Sequence, residues 1–160
     1  MAAAGPPASR TTRKPGRSRK LIERARSSSP YEETIGFSRA IRVGDRVLVS
    51  GTAPVPSPGE PAADSAADQL RRCGEIIEAA LQQLGAGLGD VVRTRMFITD
   101  AADADEIGAA HAEVFGAARP AATMVVVAAL LDPSWKVEVE AEAQVGASAA
   151  DGVGAPLASG

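Results

Sequence analysis

Glu138, Glu140 and Glu142 stand at every second position of the run Lys136-Val-Glu-Val-Glu-Ala-Glu-Ala-Gln-Val145, with Val137, Val139, Ala141, Ala143 and Val145 between them. Strict alternation of this kind is the pattern of a half-buried strand. It sets three carboxylates side by side on one face, where like charges must be solvated or paired. Arg93 and Arg95 alternate in the same way along Val91–Thr99, and Arg39 does so along Ser38–Val43. Ion pairs across the sheet or across a subunit boundary are therefore expected. A slip of one residue would turn any of these sets to the opposite face.

Other chemically able side chains are few. His111 is the single histidine, and it lies between Ile107 and Phe115 on the apolar stripe of a helical pattern. That position reads as a packed, hydrogen-bonded histidine rather than a catalytic one. With no second histidine, and with Glu113 on another face, no metal site is expected. Cys73 lies on the stripe Leu70, Cys73, Ile77, Leu81, Leu84 and reads as a small buried hydrophobe, although Arg71 and Arg72 flank it. One cysteine excludes an internal disulfide framework and a cysteine-based zinc site. Gly85-Ala-Gly-Leu-Gly-Asp90 runs from a helix into a strand, the reverse of a phosphate-binding loop, so it reads as a connection. Trp135, beside the Asp132-Pro133 turn, reads as a loop anchor that could also line a cleft rim.

The elements that must position these residues occupy residues 30–146. Residues 1–29 hold eight basic residues against one acid, Glu23, with no hydrophobic periodicity, and read as a disordered basic tail; residues 147–160 read as a flexible one. Pro15-Gly16 argues against a transit peptide there. Beyond residue 29 acids outnumber bases by nineteen to nine, which makes a poor nucleic-acid surface. No stretch has the length and apolarity of a membrane span, and a reducing cytoplasm is the expected setting. With aromatics at 3% the core must be built of small aliphatic side chains, each burying little area.

Between the tails the pattern gives ββαβαββ. Ser38–Val43 and Arg46–Ser50 form a hairpin across Gly44-Asp45. Ser65 with Asp68, and Asp103 with Glu106, have the spacing of helix-capping boxes. Met124–Ala129 is apolar on both faces, so it is expected to need cover from both sides. Two helices can cover only one face of the sheet. An oligomer is the expected remedy.

Four segments, taken in this order, resemble the Rid family of reactive-intermediate deaminases, also called YjgF-like or endoribonuclease L-PSP proteins. They are Ile35-Gly-Phe-Ser-Arg-Ala-Ile-Arg-Val-Gly-Asp-Arg-Val-Leu-Val-Ser-Gly51, Val91-Val-Arg-Thr-Arg-Met-Phe-Ile-Thr-Asp100, Arg119-Pro-Ala-Ala-Thr-Met124 and Val137-Glu-Val-Glu-Ala141. The resemblance runs from about Tyr31 to Val145. It implies a chorismate-mutase-like α+β fold with a mixed sheet, a homotrimer, and small-molecule clefts between subunits, with no cofactor.

The resemblance also implies an activity: hydrolysis of short-lived enamines and imines to 2-keto acids and ammonia. Glu138 falls where the family has a glutamate that positions water, a role that requires a carboxyl whose pKa is raised by burial; as one of three glutamates on a strand it could instead be paired with Arg93 or Arg95. Phe37 stands where the family has a tyrosine, and Ala122 where it has the arginine that grips the substrate carboxylate. Ala122 cannot make that bidentate pair, and Arg119, three residues upstream, is a weak substitute. Phe37, Met124 and the backbone of Ser50 and Gly51 would line the pocket. The expected function is hydrolysis of a labile imine or enamine other than a standard 2-imino acid. The alternative is a non-catalytic, metabolite-binding accessory trimer. RNA binding or cleavage, prompted by the family's older name, is argued against by the acidic core and the lack of stacking aromatics in a basic groove.

Overall fold

The computed structural model describes residues 21–29 and 31–146. Six strands form one sheet: β1 (Ile22–Ala25), β2 (Ala40–Val43), β3 (Arg46–Thr52), β4 (Val91–Ile98), β5 (Ala121–Val126) and β6 (Val137–Gln144). The helices are α1 (Tyr31–Ile35), α2 (Ala66–Gln83) and α3 (Ala104–Phe115). The strand order is β1-β2-β3-β6-β4-β5, with only β4 and β5 parallel. This is the expected mixed α+β architecture, with two further elements at its start.

The alternation of β6 is realised residue by residue. Val137, Val139, Ala141 and Ala143 are buried, and the residues between them are half-buried. Their core face is covered by α2 and α3. Leu70, Cys73, Ile77 and Leu81 of α2 are buried there with Ile107, Ala110 and Phe115 of α3. The two helices meet at Gly74, where a Cβ would come within 2.7 Å of Val114 Cγ1. Ser65 caps α2 by accepting from the Asp68 amide at 3.0 Å, and the helix ends at Gly85, whose φ is 69°.

The second capping box is not made. Asp103 makes no side-chain cap, and Glu106 instead accepts from the Ala67 amide of α2 at 2.9 Å. The competing acceptor is Asp100, which caps a 3-10 turn at Ala101–Asp103 ahead of α3.

One further expectation needs correction. Ile22–Ala25, inside the stretch read as a disordered tail, pairs with β2; Ala25 is fully buried and the Arg26 backbone makes two bonds with the Gln83 side chain. Charge and composition hid a four-residue strand that tertiary pairing holds. The strand expected over Met124–Ala129 needs cover that one chain does not supply. It ends at Val126 and lies at the sheet edge, with Val125 and Val126 exposed, because the parallel connection through α3 sets β5 outside β4 while the helices cover the middle of the sheet. Residues 1–20 and the tail from 147 lie outside the described residues.

Candidate active site

The three glutamates of β6 separate into two environments. Glu140 and Glu142 belong to an ion-pair ladder: Arg95 Nη1 lies 3.2 Å from Glu140 and 3.4 Å from Glu142, and Arg46 reaches Glu142 at 2.7 Å. Glu138 stands opposite Phe97, not an arginine. Among the described residues it has no ion pair. Burial raises its carboxyl pKa above the ordinary glutamate value, and the neighbouring Glu140 adds to this while Arg39 opposes it.

The β3–β6 register shifts between Val49 and Thr52, an irregularity that takes Ser50 and Gly51 out of the regular ladder. Their backbone groups find other partners: Ser50 N donates to the Arg39 carbonyl at 3.0 Å, and Ser50 Oγ to Ser38 O at 2.8 Å. The Glu138 carboxylate lies over Gly51, in space that any Cβ there would occupy. The Gly51 carbonyl in turn accepts from Arg39 Nη2 at 2.6 Å. Arg39 is 6% exposed, and its guanidinium carbon lies 5.3 Å from the centre of the Phe37 ring. Burial lowers its pKa, with the Glu32 and Glu138 charges working the other way.

These groups line an open cavity of about 540 Å³. Phe37, Ser50, Gly51 and Glu138 come together there as expected, and Trp135 joins them from its loop. Ala122 and Met124 do not line it. They lie on β5, separated from β3 by β6 and β4. Within one chain Ser50 and Gly51 on β3 stand three strands from β5, and Glu138 on β6 stands two, so the two sets stay apart.

The sequence did not mark several other parts of the wall. Arg39, paired on paper with the sheet glutamates, is instead buried beside Gly51. Arg26 and Ser27 follow β1, and Arg72 and Ile76 come from α2. Glu32 of α1 secures the N-terminal stretch by accepting from Ser27 N at 3.0 Å and Ser27 Oγ at 2.5 Å. Ile22-Glu-Arg-Ala25 does not alternate and sits in a basic segment, so the sequence carries no signal for this strand.

Neither of the other reactive residues lines the cavity. His111 is hydrogen-bonded to Thr94 Oγ1 at 2.8 Å and stacked near Phe115; burial lowers its pKa. Cys73 is buried, and burial pushes its thiol pKa well up, the opposite of an activated thiolate. Among the described residues no three His, Cys, Asp or Glu side chains converge as a metal site, and no helix is long and apolar enough to cross a membrane.

The family model described as Endoribonuclease L-PSP matches residues 28–145. The chain belongs to this family, the Rid/YjgF proteins. Among the family's members, an uncharacterised protein of Streptomyces coelicolor is 36% identical over 126 residues, 79% of this chain and 94% of that protein. The 2-iminobutanoate/2-iminopropanoate deaminase of Escherichia coli K12 is 33% identical over 109 residues, covering 66% of this chain and 84% of the enzyme. A crystal structure from Mycobacterium tuberculosis, described as a member of the YjgF/YER057c/UK114 family, superposes with a TM-score of 0.71 at 42% identity, covering 78% of this chain and all of that one.

Proposed function

We propose that this Rid-family protein hydrolyses a reactive imine or enamine, with Glu138 positioning the water. The observation that carries this reading is the isolation of Glu138: alone among three neighbouring glutamates it has no cationic partner, and it faces a cavity with a carboxyl that burial makes more basic. Such a carboxylate can take a proton from water as the oxygen attacks the imine carbon. With the imine nitrogen protonated, this addition gives a carbinolamine; the same proton then goes to its nitrogen, and the C–N bond breaks to release ammonia while the hydroxyl proton passes to the carboxylate, leaving a carbonyl. An enamine first takes a proton on carbon to become the imine. The deaminase name of the Escherichia coli relative supports the same chemistry.

The assembly belongs to this reading. In a homotrimer, the exposed β5 edge of one copy would close the cavity of the next and bring Ala122 and Met124 to its rim. Ala122 offers no guanidinium there, so short 2-imino acids should be poor substrates. A cytoplasmic setting, where pyridoxal-phosphate enzymes release such intermediates, fits the single buried thiol. The test is ammonia release from freshly generated imines, some without a carboxylate. Turnover of at least one, faster than its spontaneous hydrolysis, is expected. Hydrolysis at the background rate for the whole panel overturns the reading and favours the accessory-trimer alternative, which Ala122 and Phe37 also fit.

A further inference from the structure

Arg39 is a buried cation with an incomplete set of partners. One N–H of its guanidinium is satisfied by the Gly51 carbonyl; among the described residues its Nε has no acceptor and no carboxylate lies within ion-pair distance. Glu32 and Glu138 lie near enough for their charges to be felt, but neither bonds to it. A buried guanidinium left in this state is costly, and a bidentate anion is the partner its planar fork fits best. Arg26 and Arg72 line the same cavity, so cations outnumber the two glutamates there, Glu75 and Glu138.

The rest of the wall is largely apolar, with Ile35, Val55, Ile76, Ala79 and Leu131 around Trp135. At the roughly 30 Å³ that a water molecule takes up, the heavy atoms of a four-carbon imino acid would occupy only about 200 Å³. That is less than half of the approximately 540 Å³ that the open cavity has in the single chain.

We infer that Arg39 is the anion anchor of this cavity, and that its ligand is a carboxylate carrying an apolar body longer than four carbons. The inference deepens the imine-hydrolase reading by naming a substrate class. The carboxylate is held from β2, beside the proposed water site, rather than from the β5 position where Ala122 stands. Specificity then rests on two contacts: charge at Arg39 and chain length against Ile76 and Leu131.

Binding can be read without turnover, using stable 2-oxo acids as probes. Calorimetric titration of the full chain should show 2-oxooctanoate binding about 10- to 150-fold more tightly than its neutral amide, the range for a charge-assisted bond. It should also bind more tightly than 2-oxobutanoate. Arg39→Gln should abolish the preference over the amide while changing the amide's own affinity less than about twofold. Equal wild-type affinity for acid and amide, or a preference that survives Arg39→Gln, overturns the assignment. If Arg39→Gln does not fold, Arg39→Lys decides: it keeps the charge but loses the fork, and carboxylate affinity equal to wild type would refute the anchor.

Failure here is separable from failure of the chemistry. A retained acid preference with no turnover of any imine refutes hydrolysis and leaves the anchor standing. Rapid turnover of carboxylate-free imines, with no acid preference in binding, does the reverse.

Discussion

Replacing Glu138 by glutamine separates chemistry from architecture, because the two roles differ in the size of their effect on stability. The amide keeps the shape of the side chain but cannot take a proton from water, so the imine-hydrolase reading predicts a rate loss of about 100- to 10,000-fold, or roughly 3–5 kcal/mol in the barrier. If Glu138 were a rung of the ion-pair ladder, removing its charge would strand a cation and cost about 3–5 kcal/mol, a fall in melting temperature on the order of 10 °C or more. The geometry points the other way. Arg95 is engaged by Glu140 and Glu142, and the dominant influence on Glu138 is the burial that disfavours its charge. Glutamine should therefore leave neutral-pH stability within about 1 kcal/mol of wild type, since solvent screens a half-buried group and the lost attraction to Arg39 offsets the relieved desolvation.

The pH dependence gives an independent check. A carboxyl whose folded pKa is raised contributes stability that is full below its unfolded pKa and is lost as pH rises through the folded value. Wild type should thus gain on Glu138→Gln as pH falls through that window, and its turnover should drop over the same window as the base is protonated. The assay is ammonia release on the best imine of the panel, with melting curves and light-scattering mass on the same samples. A fully active glutamine variant refutes the role as base. A large melting loss at neutral pH refutes the burial argument.

Three further outcomes follow from packing. Gly51→Ala puts a methyl where the Glu138 carboxylate lies, and a displacement near 1 Å should cost about 100-fold in turnover; wild-type activity would mean that the carboxylate is not held there. Removing residues 1–20 should leave melting unchanged, whereas removing residues 1–29 takes away β1, buried Ala25 and the Arg26–Gln83 bonds and should cost about 1–3 kcal/mol; equal melting of the two shortened chains would contradict the strand. Gly74→Ala drives a methyl into Val114 at the α2–α3 contact and should destabilise by about 1–3 kcal/mol, less the gain in helix propensity; calorimetry showing net stabilisation would mean that the helices separate freely.

Wherever a long pattern repeats, the fold was legible in the sequence. The alternation of Val137–Gln144 and the stripe Leu70–Leu84 gave the right elements and the right buried faces, because both are settled by local periodicity. Short segments failed. Ile22–Ala25 has four residues and owes its existence to β2, and Tyr31–Ile35 is a single turn whose Glu32 is held by Ser27. The apolar run after Met124 marks a strand in need of cover, but neighbouring residues cannot report that it will land on a sheet edge. At the site, Glu138, Phe37, Ser50 and Gly51 could be placed together because the family pattern carries them. Arg39 could not, since its alternation suited the sheet glutamates and only the irregularity between Val49 and Thr52 explains why its fork meets the Gly51 carbonyl.

That glycine fastens an acid to a base. Its missing side chain admits the Glu138 carboxylate, and its carbonyl holds the Arg39 guanidinium, so the two charges share one backbone unit. Substitutions at residues 39 and 138 should therefore not combine additively, because each change alters the setting in which the other is felt. Evolution meets the same constraint. A change at either charge alters the field felt by the other, whereas the apolar wall at Ile76 and Leu131 can be recut one residue at a time. Divergence among relatives built this way should then run more freely through the shape of the wall than through the two charges.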